Sequence, residues 1–300
     1  MAEGKAVNNA EQGGAPHDDN GIDIVYRSVE SGDAEALFGL SSLVRWSHRL
    51  DDWRMLLSVG NGVVAVAGRQ VVGVTLYWLQ GDTHATIGCV IVSPEWQGRR
   101  IGNTLMMRAL IACGTRTVSL NATPEGAGLY ARLGFVDQGF VAQHQAVVSS
   151  VPTVAVDAPC LLRPMTTADH DAVVALHSFS SGLDRRAILP AYLAIAQGVV
   201  LERDGQLVGF SLFRSSGRGF AIGPVVAPGL NDAKALIAYW IAKHNGQFLR
   251  IDLPEDPVLC DWLVGLGLPR VDRLRLMVRG APAVRSAAPR MFALINQALS

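Results

Sequence analysis

The chain repeats itself, and this constrains its fold more than any single motif. Arg27 and Asp33 recur as Arg163 and Asp169, at a spacing of 136 residues. Gly62-Val63-Val64 and Gly73 recur as Gly198-Val199-Val200 and Gly209 at the same spacing. Ile87-Gly88 returns as Ile222-Gly223 at 135, Val92-Ser93-Pro94 as Val226-Ala227-Pro228 at 134, and Leu133-Gly134 as Leu266-Gly267 at 133. A spacing that drifts by single residues at turns is what divergence from one ancestral unit leaves behind. The 300 residues are therefore expected to form two related units of about 130 residues each.

In the first copy, the β-branched runs Val63 to Ala67 and Val71 to Leu79 are separated by Gly68-Arg69-Gln70, a hairpin signal. Ala85 to Val92 continues the sheet, Val118 to Asn121 is a short strand, and Glu125 to Leu133 a short helix ending at Gly134-Phe135. Between the third of these strands and a helix-like run, Asn103 to Cys113, lies Ser93-Pro94-Glu95-Trp96-Gln97-Gly98-Arg99-Arg100-Ile101-Gly102. A strand, a glycine-bearing turn and a helix start make a compact cradle for a phosphate. Gly98 and Gly102 let backbone approach an anion, and the first helical N–H groups point at it. Arg99 and Arg100 add charge. With two glycines only, the turn lacks the G-x-G-x-x-G of a dinucleotide fingerprint.

Gln97-Gly98-Arg99-Arg100-Ile101-Gly102 resembles the acyl-CoA pyrophosphate loop of the GNAT superfamily of N-acyltransferases, written Gln/Arg-x-x-Gly-x-Gly/Ala. Counted from Gln97, Gly102 fills the last position, Arg100 stands where the family writes Gly, and Asn103 follows the pattern. Gly128-Leu129-Tyr130-Ala131-Arg132-Leu133-Gly134-Phe135 resembles the Leu-Tyr-x-x-x-Gly-Phe signature near the end of GNAT domains. The resemblance implies an α/β (α+β) protein of two tandem GNAT-like units, each a mixed, mostly antiparallel sheet flanked by helices. It implies an N-acetyltransferase that uses acetyl-CoA as acyl donor, with a small primary amine such as an amino acid, amino sugar or polyamine attacking the thioester directly. It places the pantetheine against the backbone of Val90, Ile91 and Val92, and the diphosphate on Gln97 to Asn103. Tyr130 becomes the general acid, a role suited to a phenol of ordinary pKa about 10. Asn121 matches a position that contacts pantetheine in the family; it could equally cap the turn before Thr123-Pro124. The Glu that many members use as base is absent from Thr83 to Cys89, leaving His84, of ordinary pKa about 6.5, or a water chain.

The second copy is chemically different. After Pro228 it reads Gly229-Leu230-Asn231-Asp232, with no Gln-x-x-Gly and an acid where a diphosphate would sit. Trp262-Leu263-Val264-Gly265-Leu266-Gly267-Leu268 lacks the phenol. The expectation is an acyl-CoA-binding first unit and a degenerate partner. Loss of the motif from one copy also permits a non-catalytic acyl-CoA sensor, although the retained Tyr130 argues for chemistry.

Arg45-Trp46-Ser47-His48-Arg49-Leu50-Asp51-Asp52-Trp53 lies between the first two helices, where GNAT domains build the acceptor wall. Two tryptophans, a histidine and alternating charges do not make an amphipathic helix. Trp46 and Trp53 with Trp78 could form an apolar or cation-binding pocket, with His48 and Asp52 supplying polar groups. Trp53 reads as core, and Asp51 as a helix cap.

With 26 basic and 26 acidic residues, no electrostatic case exists for nucleic acid. At 49% hydrophobic and 17% charged, the chain can bury a large interdomain or dimer contact, as a pseudo-dimeric monomer or a homodimer. No apolar run approaches the roughly 18 residues of a membrane span. Cys89, Cys113, Cys160 and Cys260 show no CxxC spacing, which argues against a zinc site and for the cytoplasm. The organisation expected is a disordered tail over 1–20, a GNAT unit over 21–150, a linker over 151–159, a degenerate unit over 160–282, and a terminal helix over 283–300 with Met291, Leu294, Ile295 and Ala298 on one face.

Overall fold

The computed structural model describes residues 23–150, 154 and 160–300. The expected tail over 1–20 and nearly all of the expected linker lie outside them. The first unit runs β1 (Ile24–Ser28), α1 (Ala34–Leu43), α2 (Leu50–Val59), β2 (Asn61–Ala67), β3 (Gln70–Gln80), β4 (His84–Val92), α3 (Ile101–Cys113), β5 (Thr117–Ala122), α4 (Pro124–Arg132) and β6 (Val136–Val147). The second repeats this order as β7 (Cys160–Pro164), α5 (His170–Ser181), α6 (Leu189–Leu193), β8 (Gln197–Arg203), β9 (Gln206–Ser216), β10 (Gly219–Ala227), α7 (Leu230–Lys243), β11 (Phe248–Pro254), α8 (Pro257–Gly265) and β12 (Arg270–Arg279). A further strand, β13 (Arg290–Ala293), follows.

The repeated residues do repeated jobs. Arg27 on β1 grips Asp33 through two hydrogen bonds of 2.7 Å, and Asp33 accepts the Glu30 N–H at the start of a 3-10 turn. Arg163 on β7 grips Asp169 through two bonds of 2.8 Å, and Asp169 accepts the Thr166 N–H in the same way. Gly134 and Gly267 both end their helix at positive φ, +85° and +86°, the left-handed geometry that glycine adopts without a Cβ clash.

Two tandem units are joined into one 13-stranded, mostly antiparallel sheet in the order β1-β2-β3-β4-β5-β12-β6-β11-β10-β9-β8-β7, with β13 paired to β10 off this path. The last strands are exchanged. β12 lies between β5 and β6, pairing Met277 with Leu120 on one edge and Leu274 with Val141 on the other. β6 in turn pairs with β11, His144 opposite Ile251. Each unit thus lends the other a strand. Only β4–β5 and β10–β11 run parallel among the described pairs.

One face of the first unit's sheet packs on α3 and α4 through Ile87, Leu110, Val118, Leu120 and Ala122. The opposite face packs on α1 and α2, and this core continues without a break into the second unit: Trp53, Leu56 and Trp78 share a cluster with Ile188, Leu189, Tyr192 and Phe210. Leu56 and Leu189 are each 2% exposed or less, and burying a side chain of that size is worth about 1.5–3 kcal/mol.

The terminal helix expected over 283–300 is not formed. Residues 290–293 are a strand, and the chain from 294 onward is irregular. The apolar residues are buried as expected, but on every side: Met291, Phe292, Ala293 and Leu294 are 8% exposed or less. Burial on both faces belongs to a strand inside a sheet and not to a helix with one apolar stripe. β13 satisfies its backbone on β10, pairing Ala293 with Val225, Met291 with Val226 and Arg290 with Ala227.

Candidate active site

The first site element is the opening between β4 and β5. These strands pair in parallel from His84/Thr117 to Thr86/Ser119 and then part. At the point of parting Cys89 takes φ +53°, and the β3–β4 register shifts between Val74 and Leu76. A bulge of this kind re-aims the strand. Val90 and Val92 are half-buried beyond it, on a β4 edge that β5 no longer covers.

The turn that follows has the geometry of an anion cradle. A single 3-10 turn, Pro94–Trp96, leads to Gly98 at φ +80° and to Arg100 at φ +60°, which precedes the first residue of α3. Gln97 donates from Nε2 to the Val92 carbonyl at 3.2 Å and ties the turn to β4. The Arg99 guanidinium lies 4.7 Å over the Trp96 ring. Gly98 faces open space, and Asn103 is exposed on the first turn of α3. The first helical N–H groups, at Ile101, Gly102 and Asn103, have no carbonyl a turn earlier to serve, so they are available to an anion. On α4, Tyr130 is 8% exposed in the cluster that holds Ile87, Leu120 and Ala122, with its ring edge-on to Phe135. Burial pushes its phenol up to about 12, so it keeps its proton across the physiological range.

In the second unit the corresponding features are closed. α7 starts two residues after Pro228, and its first-turn Asp232 pairs with Arg203 at 3.3 Å. The position of Tyr130 is taken by Leu263, fully buried: the Phe135 N–H donates to the Tyr130 carbonyl as the Leu268 N–H does to Leu263. The β10 edge equivalent to Ile91 to Ser93 is already paired with β13.

On the α1/α2 face the opening meets a cavity of about 480 Å³ between the two units. Trp46, His48, Asp52, Gly88, Cys89 and Asn121 line it from the first unit; Arg214, Arg218 and Arg250 line it from the second, and residues 294–298 form part of its wall. His48 lies between Trp46 and Trp53, tilted by 41° and 40° to their rings at separations of 5.7 and 5.4 Å. Burial pushes it down to about 4, against the pull of Asp52 and with the help of Arg250 and Arg214. Asp52 accepts the Arg49 N–H at 2.9 Å, so it and not Asp51 caps α2; Asp51 is exposed and pairs with Arg54. The Cys89 thiol, buried without a base, is pushed up to about 12 and is no nucleophile at neutral pH.

Two residues singled out from the sequence lie outside the cavity, and a third, Asn121, lines it with a partner the sequence did not suggest. Trp78 is fully buried in the core and donates from Nε1 to the Leu56 carbonyl at 3.3 Å. His84 sits at the start of β4 beside Thr83, 2.9 Å from its hydroxyl, and does not line the cavity. Asn121 neither caps the Thr123 turn nor points into the α3 side; its Nδ2 donates to the Gln297 carbonyl at 2.7 Å. The sequence reading missed Arg214, Arg250 and Gln297 altogether. Arg214 ends an apolar run on β9, and Arg250 stands two residues before Asp252 on β11, both signals for an ion pair; Gln297 carried none.

A parallel strand pair that parts beside a phosphate-cradling helix start, on a mostly antiparallel sheet, defines an acyl-CoA-dependent transferase fold, here present twice with one copy closed. Family models for an acetyltransferase (GNAT) domain match residues 59–137 and, separately, 173–293. The chain is 30% identical over 224 residues to the uncharacterized N-acetyltransferase YitH of Bacillus subtilis (strain 168), covering 71% of this chain and 76% of that protein. A putative acetyltransferase from Pyrococcus horikoshii superposes with a TM-score of 0.76 at 19% identity, over 92% of this chain and 96% of that one. A tandem GNAT protein from the clavulanic acid biosynthesis pathway superposes with a TM-score of 0.60 at 17% identity, over 88% and 100%. The chain belongs to the GNAT acetyltransferase family, with two GNAT domains in tandem.

Proposed function

We propose that the protein transfers an acetyl group from acetyl-CoA to a small primary amine, with donor bound by the first unit and acceptor held in the cavity between the units. The observation that carries this reading is the asymmetry of the two strand openings. The β4 edge beyond Thr86 is free and leads into the cavity, whereas the equivalent β10 edge is occupied by β13. The diphosphate would rest on Gln97 to Asn103, and the pantetheine would pair with Val90 to Val92. The neutral amine attacks the thioester carbonyl; the C–S bond breaks, and Tyr130 hydrogen-bonds and protonates the departing thiolate. The proton released by the attacking nitrogen leaves to solvent through the cavity, since His84 lies outside it, and Tyr130 regains its proton from solvent.

Charge narrows the acceptor. Asp52 is neutralised by Arg214 and Asp252 by Arg250. Arg45 and Arg218, exposed on the cavity wall, have no carboxylate partner among the described residues, and one exposed carboxylate, Asp272, lines the same wall. With four arginines against three aspartates, the lining carries one excess positive charge, which disfavours a polyamine and suits an amine that also bears a carboxylate or phosphate. Calorimetry with coenzyme A and a thiol-release assay over a panel of amino acids, phosphorylated amino sugars and polyamines test the reading. One equivalent bound per chain and turnover of the acidic amines are expected; tight binding without turnover of any amine would overturn it.

A further inference from the structure

The Asn121 side chain holds one unused atom. Its Nδ2 donates to the Gln297 carbonyl oxygen at 2.7 Å. A carbonyl only accepts, so the amide nitrogen must face it and Oδ1 is the atom left over. That oxygen is buried, no donor among the described residues reaches it, and Asn121 lines the cavity with Gly88 and Cys89. A buried acceptor without a partner carries a desolvation penalty that a ligand's N–H would relieve.

Strand geometry says which ligand. Side chains alternate along β5: Val118, Leu120 and Ala122 enter the cluster under α3 and α4. Asn121 therefore projects from the other face, the one that carries α1, α2 and the cavity. The phosphate cradle at the start of α3 belongs to the opposite face.

The orientation of that amide depends on the second unit. β13 delivers the chain to residues 294–299, and several contacts fix this segment. Tyr192 donates from its hydroxyl to the Ile295 carbonyl at 3.1 Å. The Asn296 Oδ1 accepts the N–H groups of Ala298 and Leu299 at 2.9 and 2.8 Å. Gln297 donates from Nε2 to Gln143 and Asp252, both at 2.9 Å. Ala298 fills the space that a side chain at Gly88 would need, within 3.0 Å of such a Cβ.

We propose that the Asn121 Oδ1 receives an N–H of the incoming amine, and that the segment Leu294–Leu299, delivered by the second unit, is the positioning element that aims it. The strand that closes the second unit's own opening would then complete the first unit's acceptor site. This rests on the acetyl-transfer reading above.

Steady-state kinetics of Asn121→Ala with an amine that the wild type acetylates, together with acetyl-CoA calorimetry, separate the possibilities. The expected result is a KM for the amine raised tenfold or more with acetyl-CoA affinity unchanged within twofold. Asn296→Ala, on the same cavity wall, removes the acceptor that holds the Ala298 and Leu299 N–H groups, and should raise the same KM by several-fold and leave acetyl-CoA affinity alone. Weaker acetyl-CoA binding by Asn121→Ala at constant amine KM would make Asn121 a pantetheine contact and overturn the proposal. Unchanged amine KM in both variants overturns it too, while leaving acetyl transfer standing. A wild type that turns over no amine sinks both readings.

Discussion

The guanidinium of Arg214, on β9 of the second unit, donates from Nη1 to the Asp52 Oδ1 of the first unit at 2.7 Å, with both side chains no more than 7% exposed. The same carboxylate caps α2 through Arg49 and accepts the Gly217 N–H from the second unit at 3.2 Å. Burial alone would raise the Asp52 carboxyl; Arg214 and these two backbone donors outweigh it and hold the group below its ordinary value. One side chain thus starts a helix, clamps two units and forms a wall of the cavity.

Removing one partner leaves a buried charge without its counter-ion. Arg214→Ala and Asp52→Ala are each expected to destabilise the fold by about 3–5 kcal/mol, measured by urea denaturation. The double variant should cost much less than the sum. Because the folded-state pKa of Asp52 is depressed, its contribution is complete above the unfolded value of about 4 and is lost as pH falls below it.

The cradle prediction concerns charge and backbone together. Arg99→Glu and Arg100→Glu are each expected to weaken coenzyme A binding at least tenfold by calorimetry, and wild-type affinity should fall with added salt. The two substitutions act differently on the backbone. Arg100 stands at φ +60°, a conformation that costs a side-chain-bearing residue about 1–2 kcal/mol, so Arg100→Gly should gain stability while losing affinity.

Tyr130 packs against a glycine one turn earlier. A Cβ on Gly126 would lie 2.8 Å from the Tyr130 Cε2, so Gly126→Ala must push the phenol aside. Tyr130→Phe is expected to lower kcat by roughly 10²-fold and to leave coenzyme A affinity unchanged. Gly126→Ala should reproduce the kcat loss with the phenol still present. An unaltered rate in Tyr130→Phe would remove it from the chemistry.

His48 makes a pH prediction of its own. Burial holds its folded-state pKa at about 4 against an unfolded 6.5, so the native state binds fewer protons than the unfolded state between those values. Stability is then complete above about pH 6.5 and falls as pH drops toward 4, by about 3 kcal/mol in all. His177, fully buried with neither ring nitrogen partnered, acts in the same direction. Thermal unfolding between pH 4 and 7 should flatten by separate steps in His48→Phe and His177→Phe.

Much of this architecture was legible in the sequence because it is local. The repeat fixed two units, and the Arg27–Asp33 and Arg163–Asp169 pairs show why those residues recur: each ties a strand to the turn that starts a helix. The strand–turn–helix at Val90 to Cys113 was equally readable, since glycine and arginine placement sets the turn by itself. What escaped is long-range. Met291, Leu294, Ile295 and Ala298 lie at helical spacing, but the free edge of β10 outcompetes a helix for the backbone of residues 290–293, and no local pattern announces an edge some sixty residues upstream. Asn121 and Gln297 meet across 176 positions, and nothing near either residue points to the other. Trp78 looked like a pocket wall because aromatic residues are ambiguous; its Nε1 found the Leu56 carbonyl and it became core.

Strand exchange bears on whether the active unit can stand alone. β12 fills the gap between β5 and β6, and without it β5 and β6 each present an unpaired edge. The core under α1 and α2 would also lose Tyr192, Phe210 and Leu299 from its wall. A fragment ending at residue 150 should therefore fail to fold, showing no cooperative transition by circular dichroism and associating through its open strands. The full chain, held by one sheet and one continuous core, should unfold in a single transition whose calorimetric and van't Hoff enthalpies agree. Two separated transitions, or a soluble cooperative fragment that binds coenzyme A, would mean that the exchanged strands are dispensable.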